Sequence, residues 1–258
     1  MIEDFKIDVT KTFGTLAKAP IVEAALGFQA RVEAPWELTA VQKRLSDALP
    51  DYPKFSPFNQ IVHEINFTAN PPAATTKDLG QDGLRFFSER FPHVALFARN
   101  GFAFSRLQPY ETWEKFTTEA MRLWDYFVEI GQPSQIQRAD LRYINRIELP
   151  PGENRYEDYI RPAPEPPQNM SLPFYGFFHN DVLAVPGHDY SINIVRTIQS
   201  TELEGVLRIA VILDITVMTT KPFPMDSREI AKRLPEMRSL KNQVFYGSIT
   251  EKALSLFQ

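Results

Sequence analysis

Between Ala139 and Pro150 the chain reads ADLRYINRIELP, and three side chains in it are equipped for recognition chemistry: Arg142, Asn145 and Arg146. An arginine presents a planar fork of N–H donors that matches a carboxylate or phosphate in a bidentate way. The run alternates as a β-strand does. Ala139, Leu141, Tyr143, Ile147 and Leu149 share one face with Asn145, while Arg138, Asp140, Arg142, Ile144, Arg146 and Glu148 share the other. This ladder of alternating sign has two readings. In the first it faces water, each cross-strand pair contributing about 0.2–1 kcal/mol, with Glu23 and Arg31 of an earlier strand as neighbours. In the second it is a polar surface that engages a protein or a small anionic ligand, extended by Arg85, Arg99 and Arg106. Asn145 stands apart: on an apolar face its amide needs partners, so it is expected to tie down a backbone edge.

The other reactive side chains form no motif. His63, His93, His179 and His188 show no metal-ligand spacing. No G-x-S-x-G elbow, P-loop or G-x-G-x-x-G occurs, so no catalytic residue, metal ligand or cofactor is assigned. An enzyme with a site between two halves, drawing on His179, Asp181, His188 or Asp189, is the alternative to a non-enzymatic binding or regulatory protein. Near the end of the chain, Arg238 and Lys241 read as the exposed side of a helix whose Leu240, Val244 and Phe245 pack inward.

Composition narrows the classes further. With no cysteine, disulfide scaffolds, thiolate zinc sites and cysteine nucleophiles are all excluded, and a reducing, cytoplasmic setting is expected. The opening MIEDFKIDVTKTF lacks the apolar run of a signal peptide, and no later stretch is apolar enough to span a bilayer. A formal charge of −4 gives no general attraction to nucleic acid. The 20 phenylalanines point to aromatic packing between helix and sheet.

The elements that must position these residues follow from periodicity. Residues 21–32 alternate as a half-buried strand, WELTAVQKRLSDAL has helical spacing, and QIVHEINFTA is a second strand. NPPAATTKDLGQDG has no periodicity and reads as a disordered loop. A strand near 84–90 then joins a hairpin turned at Asn100-Gly101, with strands near 94–99 and 102–107. Trp113, Phe116, Ala120, Leu123, Trp124 and Phe127 form the apolar stripe of a long helix stopped by Gly131. The proline-rich 151–173 divides a first half, 1–150, from a second, 174–258. The second half holds strands in HDYSINIVRTIQ and GVLRIAVILDITVMT, an N-cap at Asp226, and a helix that Pro235 should kink or split. A short helix, TEKALSLF, ends it.

The fold class expected is α+β: two halves with antiparallel or mixed sheets, each covered on one face by amphipathic helices. A faint likeness between DLRYINRIEL and GVLRIAVILDITV makes duplication one reading of the two halves. Five segments in order, APIVEAALGF, PYETWEKF, LRYINRIELP, LDITV and LKNQVFYGSIT, resemble a sporadically distributed prokaryotic family of uncharacterised proteins. The resemblance implies no activity. It does direct attention to Glu23, Arg142, Asn145, Arg146, Lys241 and Asn242 as a shared polar binding site.

Overall fold

In the computed structural model, which describes residues 3–66, 73–153, 155–165, 167–170, 176–203 and 206–258, the two halves share a single sheet. Its strands are β1 (Ile21–Gln29), β2 (Lys54–Asn66), β3 (Ala73–Phe87), β4 (His93–Ala98), β5 (Gly101–Leu107), β7 (Arg138–Glu148), β8 (Phe178–Ala184), β9 (Tyr190–Leu203) and β10 (Val206–Thr219). A two-stranded ribbon, β6 (Gln135–Ile136) with β11 (Phe223–Pro224), stands apart. The large sheet has nine strands in the order β2-β3-β4-β5-β1-β7-β10-β9-β8, every described pair antiparallel. The α+β class stands, but the expected pair of sheets is corrected to one, because β7 of the first half pairs along most of its length with β10 of the second.

Among the described residues four α-helices accompany it: α1 (Leu38–Ala48), α2 (Trp113–Gly131), α3 (Ser227–Ser248) and α4 (Glu251–Leu254). Phe116, Leu123, Trp124 and Phe127 of α2 meet Phe28, Phe102, Phe104 and Tyr143 in one buried cluster. From α3, Ile230, Leu234, Met237 and Leu240 join the same core. The inward faces of β1, β7 and β10 carry the apolar members of each alternation, so period-2 patterning decides which side the long helices cover.

Two stretches of the chain follow one plan. A central strand (β1 or β7) is followed by a meander that returns to pair beside it (β2–β5, or β8–β10), and a long helix then crosses the sheet. The two segments whose likeness makes duplication a reading are β7 and β10, which pair within the second of these strand–meander–helix runs, so they are not equivalent positions in the two runs. They look alike because both are central strands facing the same core.

Three further expectations change. Ala73–Gly83, read as loop, is the first part of β3 and pairs with β2; Asn70, Pro71 and Pro72 lie outside the described residues. Its hydrogen bonds are main-chain bonds to a neighbouring strand, which leave no apolar period to read. The hairpin closes one residue early, with Ala98 opposite Gly101. Gly101 sits at φ 151°, where a Cβ would lie 2.1 Å from the Phe28 carbonyl oxygen, so this glycine serves the close approach of β1. Finally, α3 continues through Pro235 as one 22-residue helix, its apolar side held by the sheet.

Candidate functional site

The ladder on β7 faces away from the long helices, and its forks are occupied. Arg142 donates through Nε and Nη2 to both carboxylate oxygens of Asp214 at 2.6–3.1 Å. Arg146 donates to Glu148 at 3.1 Å and to Gln199 at 2.5 Å, and Arg138 pairs with Asp140 at 2.8 Å. Glu23 accepts from the Ser105 hydroxyl at 2.8 Å. The arginines expected to extend the patch diverge. Arg85 lies over the Phe58 ring, Arg99 donates to the Trp36 carbonyl, and Arg106 is buried on the helix side.

Asn145 points the other way, toward the helices, and its amide donates to the Leu213 carbonyl at 3.0 Å and, less well placed, to that of Tyr143 at 3.4 Å. It lines a cleft of about 490 Å³ where the two halves meet. Four stretches far apart in sequence build its walls: the extended N-terminal segment through Ile21, the turn Tyr110–Glu114 that opens α2, Tyr143 and Asn145 of β7, and one face of α3. On α3 the residues are Arg238, Lys241, Asn242 and Phe245, spaced three, four and seven along so that they share a side. The N-terminal segment is held along α3 by Ser239, whose hydroxyl donates to the Asp8 carbonyl at 2.7 Å, and by Tyr246, which stacks on Phe13 and donates to Gly14 at 2.6 Å.

Lys241 is the distinctive group here. Its ammonium sits 3.9 Å from the centre of the Tyr143 ring, in a cation–π contact. The two carboxylates in the cleft wall are otherwise engaged: Glu111 with Lys115 at 3.1 Å and Arg106 at 3.4 Å, Glu114 with Arg238 at 3.7 Å. Among the described residues, no carboxylate pairs with Lys241. Desolvation first, and the neighbouring Arg238 charge second, push its amine down to about 7. Below it, the Tyr110 and Tyr143 hydroxyls are 3.0 Å apart, and burial raises both phenols above their ordinary range.

A second cluster lies beside this cleft, in a hollow of about 430 Å³. Arg106 donates to Nε2 of His93 at 2.5 Å and, through Nε and Nη2, to the Pro109 carbonyl. An arginine only donates, so Nε2 must accept and the proton of the neutral ring belongs on Nδ1. Nδ1 lies 3.3 Å from the Tyr52 hydroxyl, which donates onward to Glu119 at 2.8 Å. Arg122 then clamps Glu119 and reaches Asp51. Burial and the Arg106 charge push His93 down to about 4. Burial alone would raise Glu119; the Arg122 and Tyr52 hydrogen bonds hold its carboxyl below the usual range. Arg106, His93, Tyr52, Glu119, Arg122 and Asp51 thus each bond to another member of this series.

The residues of the alternative enzyme reading do not converge. Asp181 pairs with Arg196, Asp189 with Lys221 at 2.8 Å, His188 contacts the Phe5 carbonyl, and His179 rests against Phe177. The side chain of His63 lies outside the described residues. No group of three potential metal ligands occurs among the described residues, nor a helix long and apolar enough to cross a membrane. Comparison of the chain with protein-family models, curated proteins and solved structures finds no match.

Of the six candidate residues, Asn145, Lys241 and Asn242 come together in the cleft, whereas Glu23, Arg142 and Arg146 lie on the opposite face of the sheet. Sequence reasoning missed Tyr110, Tyr143 and the N-terminal segment as cleft walls. Tyr143 carried a readable signal, since it alternates with Asn145 on the same pleat face.

Proposed function

We propose that this protein is a binding protein for a small organic anion, a carboxylate or phosphate ester, held in the cleft between its halves. The observation that carries the reading is Lys241, a cation on the wall of an open cleft with no carboxylate partner among the described residues. An anion there supplies the missing counter-charge in partly desolvated surroundings, where a charge-assisted hydrogen bond is stronger than in bulk water. Asn242 and Arg238 flank it, and the Tyr143 ring fixes the ammonium from below. Four of the five segments that carry the family resemblance contribute to this cleft, and the fifth supplies the Leu213 carbonyl that anchors Asn145. The expected arginine face is set aside as the binding locus because its forks already hold Asp214, Glu148 and Gln199.

The test is a thermal-shift and calorimetric screen of mono- and dicarboxylates, sugar phosphates and nucleotides against the wild type and Lys241→Met. One chemical class should raise the wild-type Tm and leave the variant unmoved. Because an anion favours the charged amine, binding should take up a proton above pH 7, visible as a buffer-dependent heat. A screen in which no anion stabilises the protein, or in which both chains respond alike, overturns the reading.

A further inference from the structure

The two edges of the sheet are built differently. The β2 edge carries Lys54 and Pro57, and its register slips at Phe58/Asn59 and again at Asn59/Ile61. Charge, proline and bulges are the devices by which natural sheets block strand addition. The β8 edge, Phe178–Ala184, has no proline and no bulge, and its one formal charge, Asp181, is held by Arg196 of the neighbouring strand. It reads FHNDVLA, pairs with β9 without a slip, and six of its seven residues are exposed. Among the described residues, nothing pairs with its outer main chain. Its outward-facing Phe178 and Val182 are 69% and 68% exposed, the most exposed large apolar side chains described.

The sequence of β8 is complementary to itself about Asn180. In an antiparallel pairing of two copies centred there, Phe178 meets Val182, His179 meets Asp181, and the partner strand repeats both contacts. The first pair lies on the helix-free face and is apolar. The second, on the helix side, sets an imidazole against a carboxylate. Neighbouring centres lose this match. One residue on, Asp181 would face its own copy; one residue back, His179 would face itself and Phe178 would face Asn180. A centre between residues is excluded because it would oppose side chains from different faces of the pleat.

We propose that this protein is a homodimer in which the β8 edges of two copies pair antiparallel about Asn180. The symmetry is a two-fold axis normal to the sheet, an isologous contact, and it continues two nine-stranded sheets into one with the long helices of both copies on the same side. Main-chain hydrogen bonds supply affinity, and the Phe178–Val182 pairs fix register. This inference is independent of the ligand cleft, which lies at the centre of each sheet rather than at its edge.

The chain has no cysteine, which makes the register directly testable. Opposed residues of an antiparallel pair have Cα atoms about 4.5–5.5 Å apart, within the roughly 4.4–6.8 Å that a disulfide spans. Asn180→Cys should therefore oxidise to a covalent dimer on its own. Phe178→Cys and Val182→Cys should each stay largely uncrosslinked alone and link when mixed. Wild-type protein in an ultracentrifugation series should approach twice the 29.6 kDa chain mass as concentration rises. Val182→Lys should shift it to a folded monomer, with an unchanged circular dichroism spectrum because the substituted position is exposed, and with a Tm that no longer rises with protein concentration. A wild type that stays monomeric at every concentration overturns the proposal. So does a dimer that survives Val182→Lys, or one in which Asn180→Cys does not crosslink.

Discussion

The two halves of the sheet share a plan and differ in what they do with their polar groups. In each, the strand that turns back toward the centre opens with a ring bearing a polar atom, His93 on β4 and Tyr190 on β9. Each ring connects to a glutamate on its long helix. His93 reaches Glu119 through Tyr52, and Tyr190 donates directly to Glu236 at 2.5 Å. An arginine stands three residues from each glutamate, Arg122 on α2 and Arg233 on α3. Across the strand pair the halves part. Arg106 faces His93, whereas Thr219 faces Tyr190 and accepts from the Ala139 N–H. The first half spends its charges on fastening helix to sheet, while among the described residues the second leaves Lys241 on its helix without an acidic partner and β8 with an open edge. Shared architecture thus separates anchoring from the places where a ligand or a second copy can dock.

Arg106→Met should break the first half most severely. It removes the donors to His93 Nε2 and to the Pro109 carbonyl in a site where Arg106 is 5% exposed. A buried acceptor left without its charged donor costs about 1–3 kcal/mol; with two such acceptors, a loss of roughly 3 kcal/mol is expected in urea denaturation. Thr219→Val at the matching place in the second half should cost only about 1 kcal/mol, one neutral hydrogen bond. Equal losses would erase the distinction drawn between the halves.

The tyrosine links give the next effect. Tyr52→Phe interrupts the series that runs from Arg106 to Asp51 and strands the Nδ1–H of His93, for about 1.5 kcal/mol. Tyr190→Phe removes a single donor to Glu236, for about 1 kcal/mol. A double-mutant cycle of Tyr52→Phe with Glu119→Gln should show coupling larger than that of Tyr190→Phe with Glu236→Gln, and a reversal would place the stronger network in the second half.

Acid and base should also address the halves separately. His93 binds its proton at about 4 when folded, against an ordinary 6.5. Between those values the unfolded chain holds more protons, so stability falls as pH drops through the window. Lys241 titrates near 7 when folded against 10.5 when free. Again the unfolded chain holds the extra proton, so this group makes stability rise with pH from about 7 to about 10.5. His93→Asn should flatten the acid limb alone, and Lys241→Met the alkaline limb alone. Melts recorded across pH that lose both limbs with either variant would contradict the assignment.

How much of this was legible before the structure depends on the kind of signal. Strand alternation in β1 and β7 and the apolar stripe of α2 were readable because burial imposes a period on side chains. The first part of β3 and all of β8 were not. Both are edge or near-edge segments whose main chain pairs; six of the seven residues of β8 are exposed and Ala73–Gly83 shows no alternation in its sequence, so no period is written. For the cleft, Asn145, Lys241 and Asn242 were marked as candidates, but sequence could not say that Arg142 and Lys241 lie on opposite faces of the sheet. That depends on which side α3 covers, and α3 follows β7 by about eighty residues. Tyr52, His93 and Glu119 were likewise invisible as a set, being brought together by three separate elements.

The smallest expected effect concerns the residues with which the sequence reading began. Arg142→Ala with Arg146→Ala removes the bidentate bond to Asp214 and the contacts to Glu148 and Gln199. Asp214 keeps 15% of its side chain exposed and Arg142 keeps 47%, so water can take over much of the lost solvation. The double variant should lose about 1 kcal/mol or less. It should also leave the anion response of the cleft unchanged, because the ladder and Lys241 are separated by the thickness of the sheet. An anion response abolished by this pair while folding is intact would move the binding site to the ladder. It would turn the comparison of halves into a comparison of faces, with the helix-free face as the functional one.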